Sequence, residues 1–125
     1  LFLGKLHEQY ESDETKMIAN KKSHFDEAVK YIHMNYAQNI KISDIATYVG
    51  IDRSQLFRIF KQNINLAPKQ YLIDYRIVCA SILINTTDLT YQEISNSVGF
   101  EYCSHFYRMF KRHFGVTPSE YKLKY

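Results

Sequence analysis

Arg53, Ser54, Phe57, Arg58, Lys61 and Gln62 are matched in position fifty residues later by Cys103, Ser104, Tyr107, Arg108, Lys111 and Arg112, with the serine, the second arginine and the lysine kept. At about 3.6 residues per turn, each set falls on one side of a helix. His105 lies at the edge of the second set, and neither set contains a carboxylate. Such a face offers cations, hydrogen-bond donors and exposed aromatic rings. That chemistry suits a DNA major groove, whose width admits one helix. Arginine can grip guanine with two hydrogen bonds, serine can donate or accept, and an apolar group can meet a thymine methyl. Lys61, Lys111 and Arg112 lie a turn later and suit phosphates, which position a protein without specifying sequence. Arg53 and Gln62, at the two ends of the first set, are assigned to phosphates as well. One basic amphipathic helix is usually no more than a solvated surface, so the doubling carries the inference. Phe57 and Tyr107 occupy equivalent places and have a second reading, as contacts to a neighbouring helix.

Other chemistries find no support. Asp44, Asp52, Glu93 and Glu101 all fall at helix starts, where carboxylates cap backbone N–H groups. His105 and His113, with Cys103 nearby, do not have a recognised ligand spacing, so no metal and no cofactor is expected. There is no nucleophile with its base, no phosphate loop and no dinucleotide fingerprint, which excludes the familiar enzyme classes. Cys79 and Cys103 are unclustered and fit a reducing cytoplasm. No run approaches the ~18 apolar residues of a membrane span. The net charge of +3 is modest, but its placement is informative. Residues 1–22 hold four basic and four acidic side chains, and residues 23–125 hold twelve and nine. The excess falls on the two repeated runs.

The elements that must position these faces can be read from punctuation. Ser23 with Asp26 predicts a helix start, followed by the apolar stripe Phe25, Ala28, Val29, Ile32, Tyr36. Ser43 is read as the cap of a short helix, Asp44 to Val49, in which small Ala46 permits a close crossing. Gly50 ends it, and Asp52 with Gln55 forms a capping box for a helix from Arg53 to about Ile64. That helix buries Leu56, Ile59, Phe60 and Ile64, and Asn65 stops it. Pro68 starts a long helix to about residue 86, with Tyr71, Leu72, Tyr75, Val78, Cys79, Ile82 and Leu83 as its apolar pattern. Thr90 with Glu93 caps a helix to Val98. Gly99, Phe100 and Glu101 form a turn in which Phe100 plugs the core. The helix Tyr102 to Phe114 buries Phe106, Met109, Phe110 and Phe114, and Pro118 opens a last short helix. The turn glycines Gly50 and Gly99 are 49 apart while the helices are 50 apart, so the second turn is one residue longer. The fold class is all-α: two helix-turn-helix units, about 43–64 and 90–114, joined by a long helix at about 68–86.

The stretch from Gly99 to Lys122, GFEYCSHFYRMFKRHFGVTPSEYK, resembles the second helix-turn-helix of the AraC/XylS family of bacterial transcription regulators. The earlier stretch IATYVGIDRSQLFRIFKQNINLAPKQYL resembles the first. Residues 24–124 are covered. The resemblance implies seven helices, and base contacts from Ser54, Phe57, Arg58, Ser104, His105, Tyr107 and Arg108. Asn65 stands where a glycine is common, and Phe57 where a polar reader is expected. By the same resemblance the protein is a cytoplasmic, sequence-specific DNA-binding activator that works with RNA polymerase. Residues 1–11 are read as the tail of a preceding sensor or dimerisation domain and 12–22 as its linker; a frayed arm is the alternative. Homodimerisation and binding of a small-molecule effector are then assigned to that missing domain, and no membrane is involved. Two other functions remain open: a non-specific or architectural DNA binder, and a helical protein-interaction module. A connecting helix of ~18 residues spans ~27 Å, compatible with grooves ~34 Å apart on one face of the duplex.

Overall fold

A computed structural model describes residues 13–124, with side chains from Ser23 to Leu123. The described residues form seven helices: α1 (Asp13–Asn35), α2 (Ile42–Val49), α3 (Arg53–Ile64), α4 (Pro68–Thr86), α5 (Tyr91–Ser97), α6 (Cys103–Phe114) and α7 (Pro118–Lys124). The expected helical tail at residues 1–11 lies outside them.

Two helix starts differ from expectation. Ser23 does not begin a helix; α1 starts at Asp13 and runs straight through it. The segment read as a linker holds Glu14, Met17, Ala19 and three lysines and has no Gly or Pro, and those residues favour helix by intrinsic propensity. Of the helical and the disordered arm that the sequence allows, residues 13–22 take the helical form. Ser43 is not the cap of α2 either. Lys41 is the N-cap, and its backbone N–H donates to the Asp44 carboxylate at 2.8 Å.

Each unit has its own core. The first is built by Ala28, Ile32, Ile45, Ala46, Leu56, Phe60 and Leu72, from α1 to α4. The second is built by Ile73, Ile77, Ala80, Ile84, Ile94, Val98, Phe100, Phe106 and Phe110, from α4 to α6. Adjacent residues of α4, Leu72 and Ile73, therefore face different cores. The single stripe expected on α4 is corrected accordingly: Val78 and Ile82 are 41% and 56% exposed. A helix that serves two cores divides its apolar residues among several faces, so one periodic stripe misses the phase. Tyr71 and Tyr75 pack on the first core, Cys79 and Leu83 on the second, and Tyr36 on both. Ile64, Met109 and Phe114 are only partly buried against their cores.

The two turns follow one plan. Gly50 donates to the Thr47 carbonyl at 3.2 Å and Ile51 to the Ala46 carbonyl at 3.1 Å. Gly99 donates to Asn96 at 3.2 Å and Phe100 to Ser95 at 3.0 Å. Both glycines have positive φ, 85° and 101°. The first turn then passes directly to Asp52, which shares a capping box with Gln55 at 2.8 and 3.1 Å. The second passes through Glu101 before Tyr102, the N-cap of α6. The extra residue of the longer turn is thus Glu101, inserted after the bonds that close α5. Asn65 and Gly115 stop α3 and α6 alike, both left-handed.

Ala46 and Ser95 are equivalent small residues at the crossing of each unit's helices. The Ser95 hydroxyl is fully buried and has no hydrogen-bond partner among the described residues. An unmatched buried hydroxyl costs about 1–3 kcal/mol. Ser95→Ala is therefore expected to raise stability by about 1 kcal/mol in urea unfolding; a loss of stability would show that the hydroxyl is satisfied.

Candidate nucleic-acid interface

On α3 the buried positions are Leu56, Ile59 and Phe60. Arg53, Ser54, Phe57, Arg58, Lys61 and Gln62 are all exposed, as helical periodicity requires once those three turn inward. Phe57 is 47% exposed, and the Lys61 ammonium lies 5.6 Å from its ring centre. A cation over an aromatic face is a weak attraction that keeps both groups on the same side of the helix.

On α6 the buried positions are Phe106 and Phe110. Ser104, Tyr107, Arg108, Lys111 and Arg112 are exposed, whereas Cys103 is half-buried. Tyr107 is 37% exposed and leans edge-on against Tyr91 of α5, 6.2 Å between ring centres. Its ring thus both packs on a neighbouring helix and reaches solvent. His105 is half-buried, with its ring edge-on to Phe100 at 5.3 Å. Burial lowers the pKa of this imidazole, and the nearby charges of Arg108, Lys69 and Arg76 lower it further. His105 is therefore neutral at pH 7 and can both donate and accept. His113 turns the other way, 3.6 Å from Asp74 of α4, and does not join the exposed face.

Two surface clefts lead from the face of α3 to His105 at the start of α6. The first is lined by Arg53, Ser54, Phe57 and Arg58 of α3 together with Ile42 and Lys69. The second is lined by Lys41, Ile42, Lys69, Arg76, Glu101, Tyr102 and His105, among others. Ile42 and Lys69 belong to both, so the clefts adjoin. Lys69, in the first turn of α4, stands between the two repeated helices. Sequence periodicity did not single it out, because it lies outside both repeated runs; its one signal was a cation directly after Pro68. Tyr102 was likewise passed over, and as the N-cap of α6 it is 64% exposed beside His105. Among the described residues no group of His, Cys, Asp and Glu could hold a metal ion. No helix among them is long and apolar enough to cross a membrane.

A family of helix-turn-helix domains matches residues 45–124. The fold superposes on a transcriptional regulator with an AraC-type DNA-binding domain from Chromobacterium violaceum. The TM-score is 0.78 and the identity 32%, over 85% of this chain and 95% of the other.

The chain belongs to the AraC-type DNA-binding domains.

The AraC-type domain is accordingly a DNA-binding module and not an enzyme. It is also 35% identical over 101 residues to the Msm operon regulatory protein of Streptococcus mutans, covering 81% of this chain and 36% of that protein. The chain thus spans about a third of the length of the curated relatives it matches. A further neighbour is the DNA-binding domain of the global transcriptional factor AdpA, solved with a target DNA. It has a TM-score of 0.76 and 25% identity, covering 80% of this chain and 90% of the other.

Proposed function

We propose that this AraC-type domain reads duplex DNA by setting α3 and α6 into successive major-groove segments, within a larger regulator of transcription. One observation carries the proposal. Two helices of a repeated unit each present a cationic face without a carboxylate, and both border adjoining clefts that share Lys69. Ser54, Phe57 and Arg58 are the base-facing residues of α3, and Ser104, His105, Tyr107 and Arg108 those of α6. Arg53, Lys61, Gln62, Lys111 and Arg112 contact phosphates. Lys69 joins this phosphate group, since the backbone between two groove segments must pass the space between the helices. The 19-residue α4 is about 28 Å long at 1.5 Å per residue, in keeping with a groove repeat of about 34 Å. The complex of the AdpA domain with a target DNA supports this use of the fold.

RNA polymerase, a second copy of the chain and a small-molecule effector are the partners proposed for the larger protein, and a bacterial cytoplasm its place.

Selection of bound duplexes from a random pool tests the proposal. The expected outcome is one enriched site with two conserved blocks. Salt-sensitive binding without enrichment would instead identify an architectural binder. Removal of one phosphate contact is expected to act on all sequences alike. Lys111→Ala should weaken selected and random duplexes by similar factors. It should also reduce the slope of log affinity against log salt by about one. A loss confined to the selected duplex would make Lys111 a base reader.

A further inference from the structure

Arg76 lies near the middle of α4 and belongs to neither repeated helix. Its Nε donates to the Tyr36 carbonyl at 2.8 Å, and its second terminal nitrogen donates to the Gln38 carbonyl at 2.9 Å. Tyr36 and Gln38 directly follow α1, where backbone carbonyls lack helical partners. The planar fork of a guanidinium suits two acceptors at once, which a lysine ammonium does not reproduce. The same guanidinium sits 6.0 Å from the ring centre of Phe100, in the turn of the second unit. Gly99 closes the arrangement: a Cβ built there would lie 2.5 Å from the Tyr36 carbonyl oxygen and 2.8 Å from Arg76 Nε. The end of α1, the joining helix and the turn of the second unit therefore meet at one point. Phe100 is two residues from Tyr102, the N-cap of α6, so this junction holds the entry of that helix against the first unit. The Gly50 turn of the first unit has open space at the equivalent place.

We propose that Arg76 is a positioning residue: by tying the end of α1 to the turn before α6, it fixes the offset between α3 and α6. It thereby sets the base-pair spacing at which the domain binds DNA. The inference rests on the two-segment reading above. Arg76 itself need touch no DNA, because two rigidly held helices accept only one separation of their groove segments, whereas loosely held helices accept several.

Parallel selections from a random duplex pool, with the unaltered chain and with Arg76→Ala, test it. The unaltered chain should return two blocks at a single spacing. Arg76→Ala should return the same blocks at two or more neighbouring spacings. For the duplex with one base pair inserted between the blocks, the unaltered chain should bind about tenfold more weakly than to the original. For Arg76→Ala that ratio should fall to about twofold. Blocks that stay at one spacing with an undiminished ratio overturn the proposal, as does a uniform loss of affinity that leaves the ratio unchanged. If circular dichroism shows Arg76→Ala unfolded, Arg76→Lys takes its place with the same two readouts, since lysine keeps the charge but cannot bridge both carbonyls. A single block with the unaltered chain would refute two-segment binding itself, before any variant is compared.

Discussion

Replacing Arg58 and Arg108 together by alanine is expected to cost about 2–6 kcal/mol of DNA affinity, a loss of roughly thirtyfold or more. Each arginine is exposed, one on α3 and one on α6, at the same register of its helix. A bidentate arginine–guanine pair is worth about 1–3 kcal/mol of discrimination. The residues lie on separate helices with separate cores, so their losses should add. Arg58→Ala should relax base preference in one block of the selected site and Arg108→Ala in the other. Because neither side chain is buried, thermal unfolding should barely move. Anisotropy titrations at fixed salt would measure the affinities. Wild-type binding in both single variants and in the double would end the case for α3 and α6 as the reading helices.

Gly99→Val should produce the largest loss of stability, about 3–5 kcal/mol, and lower the midpoint of thermal unfolding by some 15 °C or more. Two costs combine. The backbone φ of 101° is one that a β-branched residue adopts only under strain. The added Cβ would also press on the backbone oxygen of Tyr36 at 2.5 Å, an atom that cannot swing aside. Gly50→Ala provides the control. Its φ of 85° carries the conformational cost, but nothing lies within 4 Å of the added carbon, so about 1 kcal/mol is expected. Calorimetry of the two variants would separate strain from collision. Equal losses would mean that the contact with Tyr36 yields freely.

The repeated architecture was legible because its punctuation is local. Gly50, Gly99 and Gly115 take positive φ, Asp52 caps α3 with Gln55, and Pro68 opens α4, each for reasons contained within a few residues. The exposure of Arg58 and Arg108 follows from the same short-range periodicity, since Phe60 and Phe110 turn inward beside them. What escaped was set either by helix propensity without a stripe or over longer distances. Residues 13–22 show no apolar stripe, yet their helix formers continue α1 past Ser23. The phase of α4 depends on two cores at once, which no single stripe encodes, so Val78 and Ile82 were misplaced. Lys69 and Arg76 are unremarkable as sequence; their meaning comes from α1 and the Gly99 turn arriving beside them in space.

Leu72 and Ile73 point to opposite cores, which leaves no slack chain between the two units. The boundary between them is a single peptide bond inside a continuous helix. Severing the chain there would take Tyr75 from the rim of the first core and Tyr36 from that of the second and would leave two frayed helix ends, so neither half should survive as an independent module. Heat or denaturant should accordingly remove both units in one transition. Amide hydrogens in the middle of α4 should be among the last to exchange, because releasing them requires both cores to open.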